Sequence, residues 1–121
     1  MRQCLGLLVR GGRPSDSASD WTAWGATLGG GEYVARSALG QTASGDLVYA
    51  GNMSTSPADL AAALVSAGAV AAMELDINPE WVQLDVASQP GGQLSTAIPG
   101  QNRPADQFIA GWTRDFITVL G

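Results

Sequence analysis

The chain has 121 residues, is 45% apolar and carries a formal net charge of −5. That suits one domain with a modest core and excludes a disordered tail. The acidic balance argues against nucleic acid and against an anionic membrane surface as partners.

The element signals run in order along the chain. The N-terminal "MRQCLGLLVRGG" has an apolar run of about six residues, short of the roughly 7–15 of a secretory signal. No export signal is expected in the chain as given. "LGLLV", residues 5 to 9, reads as a buried strand ending at Gly11-Gly12. Cys4 sits in that apolar run and reads as packing. Residues 13 to 32 are rich in Gly, Ser, Asp and Ala and read as a long loop, with Trp21 and Trp24 favouring an ordered one.

"YVARSALGQTASGDLVYAGN" reads as a β-hairpin with arms of about Tyr33 to Thr42 and Leu47 to Ala50 around the turn "ASGD". Arg36 lies on the first arm, with the small residues Ala38 and Gly40 on its face. Tyr33 and Tyr49 read as hairpin packing residues.

"STSPADLAAALVSAGA" carries the clearest helix signature. Ser56 suits the N-cap, Pro57 the first helical position and Asp59 the capping-box acid. Leu60, Leu64 and Ala67 form an apolar stripe, and Gly68 ends the helix. Residues 69 to 77, "AVAAMELDI", follow as a strand, and "EWVQLDVAS" alternates as a half-buried strand. Residues 88 to 106 read as loop, "DQFIAGW" as a helical turn and "RDFITVLG" as a closing strand. The fold class expected is α+β: a mixed β-sheet with a hairpin and one main helix packed on it, residues 1 to 121 forming one domain.

The absence of histidine excludes the histidine triad and the HExxH zinc site, and the absence of lysine excludes Schiff-base chemistry and the P-loop. One cysteine gives neither an internal disulfide nor a cysteine-rich metal site. No metal or cofactor is expected, and acid–base work falls to Asp, Glu or Tyr. The stretch "AMELDINPEW" then stands out, because an apolar run rarely holds carboxylates unless they are paired or used. On a strand, Glu74 and Asp76 point to one side, roughly 6.6–6.8 Å apart along the chain. Arg36 is the natural cation for them, and a guanidinium among small residues grips phosphate bidentately. Solvated or salt-bridged side chains are the plainer reading of all three. Gly29-Gly30-Gly31 reads mainly as flexible loop, Trp21, Trp24 and Trp81 as anchors before sugar-stacking residues, and Arg103 and Arg114 as solvated or paired.

"RSALGQTASGDLVYAG", a capped helix ending "LVSAGAVAAMELDINPEW", and then "RPADQFIAGWTRDF" together resemble the C-terminal part of bacterial phosphodiester glycosidase domains. These are relatives of the enzyme that removes N-acetylglucosamine from a phosphodiester. The family pattern places an arginine at the start of a hairpin strand, "DG" at the turn, a helix, and a strand "AxxLDGGGS". Here Arg36, Ser44-Gly45-Asp46, the helix from Pro57 and "AMELDINPEW" correspond. Ile77-Asn78-Pro79 replaces the glycine triplet, and the upstream "NGGF"-like segment has no counterpart, so the resemblance implies the C-terminal part of such a domain.

The activity implied is hydrolysis between a sugar anomeric carbon and a phosphodiester oxygen. Asp76 and Glu74 would be the catalytic carboxylates, Arg36 the phosphate ligand, and Asn78 and Trp81 the sugar contacts. A sugar phosphodiester or glycan of an exopolysaccharide is the ligand implied, with no nucleic acid and no membrane insertion. An N-terminal segment or a second copy of the chain is a further partner to expect. The family is mostly extracytoplasmic. The alternatives are a non-catalytic binder of sugar phosphates or cell-surface glycans, and a structural fragment.

Overall fold

The computed structural model describes residues 6–25 and 30–120. It has an α+β architecture with a five-stranded sheet in the order β2-β1-β5-β3-β4, and every strand pairing is antiparallel. The strands are β1 (Leu7–Arg10), β2 (Arg13–Pro14), β3 (Val34–Thr42), β4 (Leu47–Thr55) and β5 (Ala69–Glu74). One helix, α1 (Pro57–Ser66), packs on the sheet, and β6 (Asp85–Ala87) with β7 (Leu94–Thr96) makes a separate two-stranded ribbon. Cys4, Leu5 and Gly29 lie outside the described residues.

The helix forms where its caps demand. The Ser56 hydroxyl accepts the Asp59 N–H at 3.1 Å, Pro57 opens the first turn, and Gly68 turns the chain at φ +92°. Its buried stripe is Leu60, Ala61 and Leu64, packed with Leu8, Val9, Trp24, Ala38, Ala69 and Ala72. Ala67, expected in the stripe, is exposed at the C-cap. The opposite side of the sheet carries a smaller cluster of Ala35, Val82 and Ile98, with Tyr49, Met53 and Leu84 against it.

Close approach of β3 and β5 depends on Gly40. A Cβ there stands 3.1 Å from the Ala69 and Ala72 Cβ atoms and from the Ala71 carbonyl oxygen. Gly40→Ala therefore has to push a backbone, and is expected to cost ~1–3 kcal/mol. A lowered denaturation midpoint at unchanged m-value checks this.

Several sequence expectations are corrected. β4 runs to Thr55 rather than Ala50, because Gly51, Asn52 and Thr55 pair with Ser37, Arg36 and Val34. Residues 13–25 and 30–32 are not one plain loop. They contain β2 and two 3-10 turns, Asp16–Ser19 and Trp21–Trp24, with the Trp24 indole N–H donating to the Ser17 carbonyl at 2.8 Å. Within residues 80–88 only Asp85–Ala87 is strand. The Asn78 carbonyl accepts the Trp81 and Val82 N–H groups, so that stretch begins as a turn.

Residues 106–110 do close one helical turn, with the Ala110 N–H on the Asp106 carbonyl at 2.8 Å. The closing strand at 114–120 is not formed, and Phe116, Ile117, Val119 and Leu120 are exposed there. Among the described residues no strand pairs with it. Tyr33, expected to pack, is 62% exposed. Among the described residues no helix is long and apolar enough to cross a membrane.

Candidate functional site

The site is built at the end of β5, where it leaves the sheet. β5 stops at Glu74, but pairing with β3 continues through single contacts. Leu75 N–H donates to the Ser37 carbonyl at 2.8 Å, and the Asp76 carbonyl accepts both the Ser37 N–H and its hydroxyl, at 2.9 and 3.0 Å. Ser37 thus fixes the backbone of Asp76 without touching its carboxylate. Asn78 then turns the chain: its side-chain oxygen accepts the Glu80 N–H at 2.9 Å, a tight turn of the kind Asn makes readily.

Arg36 and Glu74 meet in the interior, with side-chain exposures of 1% and 3%. The Arg36 Nη1 donates to Glu74 Oε2 at 3.1 Å and to the Trp24 carbonyl at 3.0 Å, and Nη2 reaches the Glu32 carbonyl at 3.5 Å. Nε has no hydrogen-bond partner among the described residues. Burial pushes the Glu74 carboxyl above its ordinary range, and Arg36 pulls part of that rise back. The pair therefore ties the hairpin, β5 and the Trp21–Trp24 turn together below the surface. The small neighbours Ala38 and Gly40 do not leave the guanidinium open: it is enclosed with Glu74 and the Trp24 carbonyl. Arg36 has no surface through which to grip a phosphate.

Asp76 belongs to a second, more exposed constellation. Arg114 Nη2 stands 3.9 Å from Asp76 Oδ1, with side-chain exposures of 44% and 26%. The Arg114 guanidinium also lies over the Trp81 ring, 4.1 Å from its centroid. Arg103 lies over Trp81 at 4.9 Å and over Trp112 at 5.3 Å, and pairs with Glu80 at 2.8 Å. Such cation–π stacks and paired charges hold the segment from Arg103 to Arg114 against the turn after β5. Glu80 also accepts from the Asn102 amide at 3.1 Å.

Tyr49 lies behind this group. Burial raises its pKa; a hydrogen bond with the Ser37 side chain opposes the rise, and the charges of Asp76 and Asp85 add to it. Its hydroxyl donates to the Gln83 carbonyl at 3.1 Å.

The structure therefore joins Arg36 to Glu74, and places Asp76 with Trp81 through the shared partner Arg114. It does not bring the two carboxylates onto one cation. Asn78 serves the turn between them. Sequence reading missed Arg114 and Arg103 as site residues. The Trp/Arg content of 103–114 beside Trp81 was the available signal, but only the fold shows that these segments touch. Among the described residues no group of three or more His, Cys, Asp or Glu side chains is gathered to hold a metal ion. Comparison with family models, curated proteins and solved structures found no match to this chain.

Proposed function

We propose that the chain is a phosphodiester-glycosidase-like hydrolase that releases a sugar from a sugar-1-phosphodiester. The observation that carries the reading is the succession of two arginine–carboxylate contacts along the end of β5, one buried and one at the surface. The reaction needs little more. A departing phosphate monoester is already a fair leaving group, so the site must offer a cation for the phosphate and a carboxylate beside the anomeric carbon.

Of the two arginine–carboxylate contacts, that of Asp76 with Arg114 is the one with access to solvent. A phosphate arriving at Arg114 takes over as its counterion, with Asp76 alongside the sugar to stabilise the cationic anomeric carbon, attack it or activate water. The sugar–oxygen bond breaks, water adds at the anomeric carbon, and its proton passes to the carboxylate or to solvent. Arg36 and Glu74 act beneath, as the floor that sets where Asp76 begins. Trp81 carries Arg114 on its face, and Asn78 shapes the approach.

Arg114→Gln is expected to weaken phosphodiester binding about tenfold, the loss of one charged hydrogen-bonding partner. A neutral glycoside of the same sugar should lose less than about twofold. Titrating both ligands against both proteins checks this, and an equal loss would remove Arg114 from the phosphate role. A second reading, a non-catalytic binder of sugar phosphates or glycans, is favoured by the burial of Glu74, which leaves Asp76 as the accessible member of the expected carboxylate pair where glycosidases use two. Phosphodiester affinity in a folded chain without turnover selects that reading.

A further inference from the structure

Far from Asp76 in the chain, the sequence "RGGR" makes a second arginine constellation. Gly11 and Gly12 have φ of +60° and +73°, the paired positive values of a two-residue hairpin turn that glycine adopts without strain. That turn sets Arg10 directly opposite Arg13 across β1 and β2. Like charges in this position repel and destabilise the hairpin. The other arginines of the described chain are each relieved by an acid: Arg36 by Glu74, Arg103 by Glu80 and Arg114 by Asp76. Arg10 and Arg13 form no ion pair among the described residues, in a protein whose net charge is −5.

Both arginines line a groove of about 620 Å³ between the hairpin and the two 3-10 turns. Ser15 and Ser17 line it too, their hydroxyls 3.1 Å apart, together with Asp16 and Trp24. Trp24 is itself fixed by its bond to the Ser17 carbonyl. Two cations held against each other, with hydroxyl groups beside them, match the charge and hydrogen-bonding of a phosphate group.

We propose that this groove is an anion site for a phosphate group, held by Arg10 and Arg13 with Ser15 and Ser17 as hydroxyl partners. The site is independent of the glycosidase reading, and shares no residue with Asp76, Trp81 or Arg114. Asp16 is the unfavourable neighbour, and sets a limit on affinity. Bound phosphate removes the repulsion between the arginines, so binding and hairpin stability are coupled.

The test is titration of the full 15N-labelled chain with inorganic phosphate at constant ionic strength, following the amides of Gly11, Gly12 and Ser15. Saturable shifts at these amides are expected. Arg10→Gln and Arg13→Gln should each weaken binding about tenfold without destabilising the hairpin, because each also relieves the repulsion. Asp16→Asn, which keeps both arginines, should tighten binding, and Arg114→Gln should leave it unchanged. Absent or non-saturating shifts would overturn the site. So would affinity unaltered in both arginine variants, displacement of phosphate by equimolar chloride, or weaker binding in Asp16→Asn.

Discussion

Arg36→Met is expected to lower stability by ~3–5 kcal/mol near pH 8, because it leaves the Glu74 carboxylate buried without its cation. The corresponding fall in melting temperature is on the order of 10–20 °C for a chain of this size. The same substitution also strips the hydrogen bond from the Trp24 carbonyl, loosening the turn that covers the pair. The loss should shrink as the pH is lowered, and the sign follows from the direction of the carboxyl's shift. Its folded pKa is raised above the ordinary 4.5. The folded state thus holds the proton more tightly than the unfolded state does. This group's favourable contribution is complete below about 4.5 and is lost as the pH rises through the raised folded value.

Removing Arg36 takes away the interaction that opposed the rise, so in the variant that window moves to still higher pH. Thermal melts of both proteins between pH 5 and pH 8 check the prediction, and a loss independent of pH would mean that Glu74 does not sense Arg36. Replacing both partners, Arg36→Met with Glu74→Met, should restore most of the stability, since the desolvation of two charges is then removed together.

Asp76→Asn is expected to reduce turnover by about 10²–10⁴-fold, the usual range for one positioned acid–base group. The substitution keeps the side chain's size and removes its charge. It leaves the Ser37 bonds in place, because they go to the Asp76 carbonyl, and the Arg114 contact that it weakens is long and partly solvated. An unchanged melting temperature with lost activity is the expected combination. A lost fold would place Asp76 among the structural carboxylates with Glu74.

The helix and hairpin were legible because local chemistry decides them. Ser56, Pro57, Asp59 and Gly68 mark the helix ends, and "ASGD" marks the hairpin turn, with Gly45 at φ +97°. Gly51, Asn52 and Ser54 resemble loop residues, and local sequence therefore does not extend the second hairpin arm past Ala50. They stay in β4 because β3 supplies partners across the whole arm. The reverse error fell on "RDFITVLG". Its residues suit a strand, but a strand needs a partner, and none of the described strands pairs with it.

The alternation of "EWVQLDVAS" misled in another way. Val82 is buried because the Asn78 turn directs it into the smaller cluster, while Trp81 is held by two arginines. The chemistry of Glu74 and Asp76 was visible as two acids in an apolar run, but their division was not. The strand ends between them, so one residue keeps Arg36 and the other meets Arg114, some 38 positions further along. No local pattern encodes that choice of partners; the fold of the segment after β5 makes it.

Hydrolysis of an N-acetylglucosaminyl phosphodiester by the purified, folded chain, with Asp76→Asn beside it at the same concentration, addresses the glycosidase reading itself. Release of the sugar by the parent chain and its loss in the equally folded variant is the result expected. No release by the parent, or equal release by both, would contradict hydrolysis at Asp76.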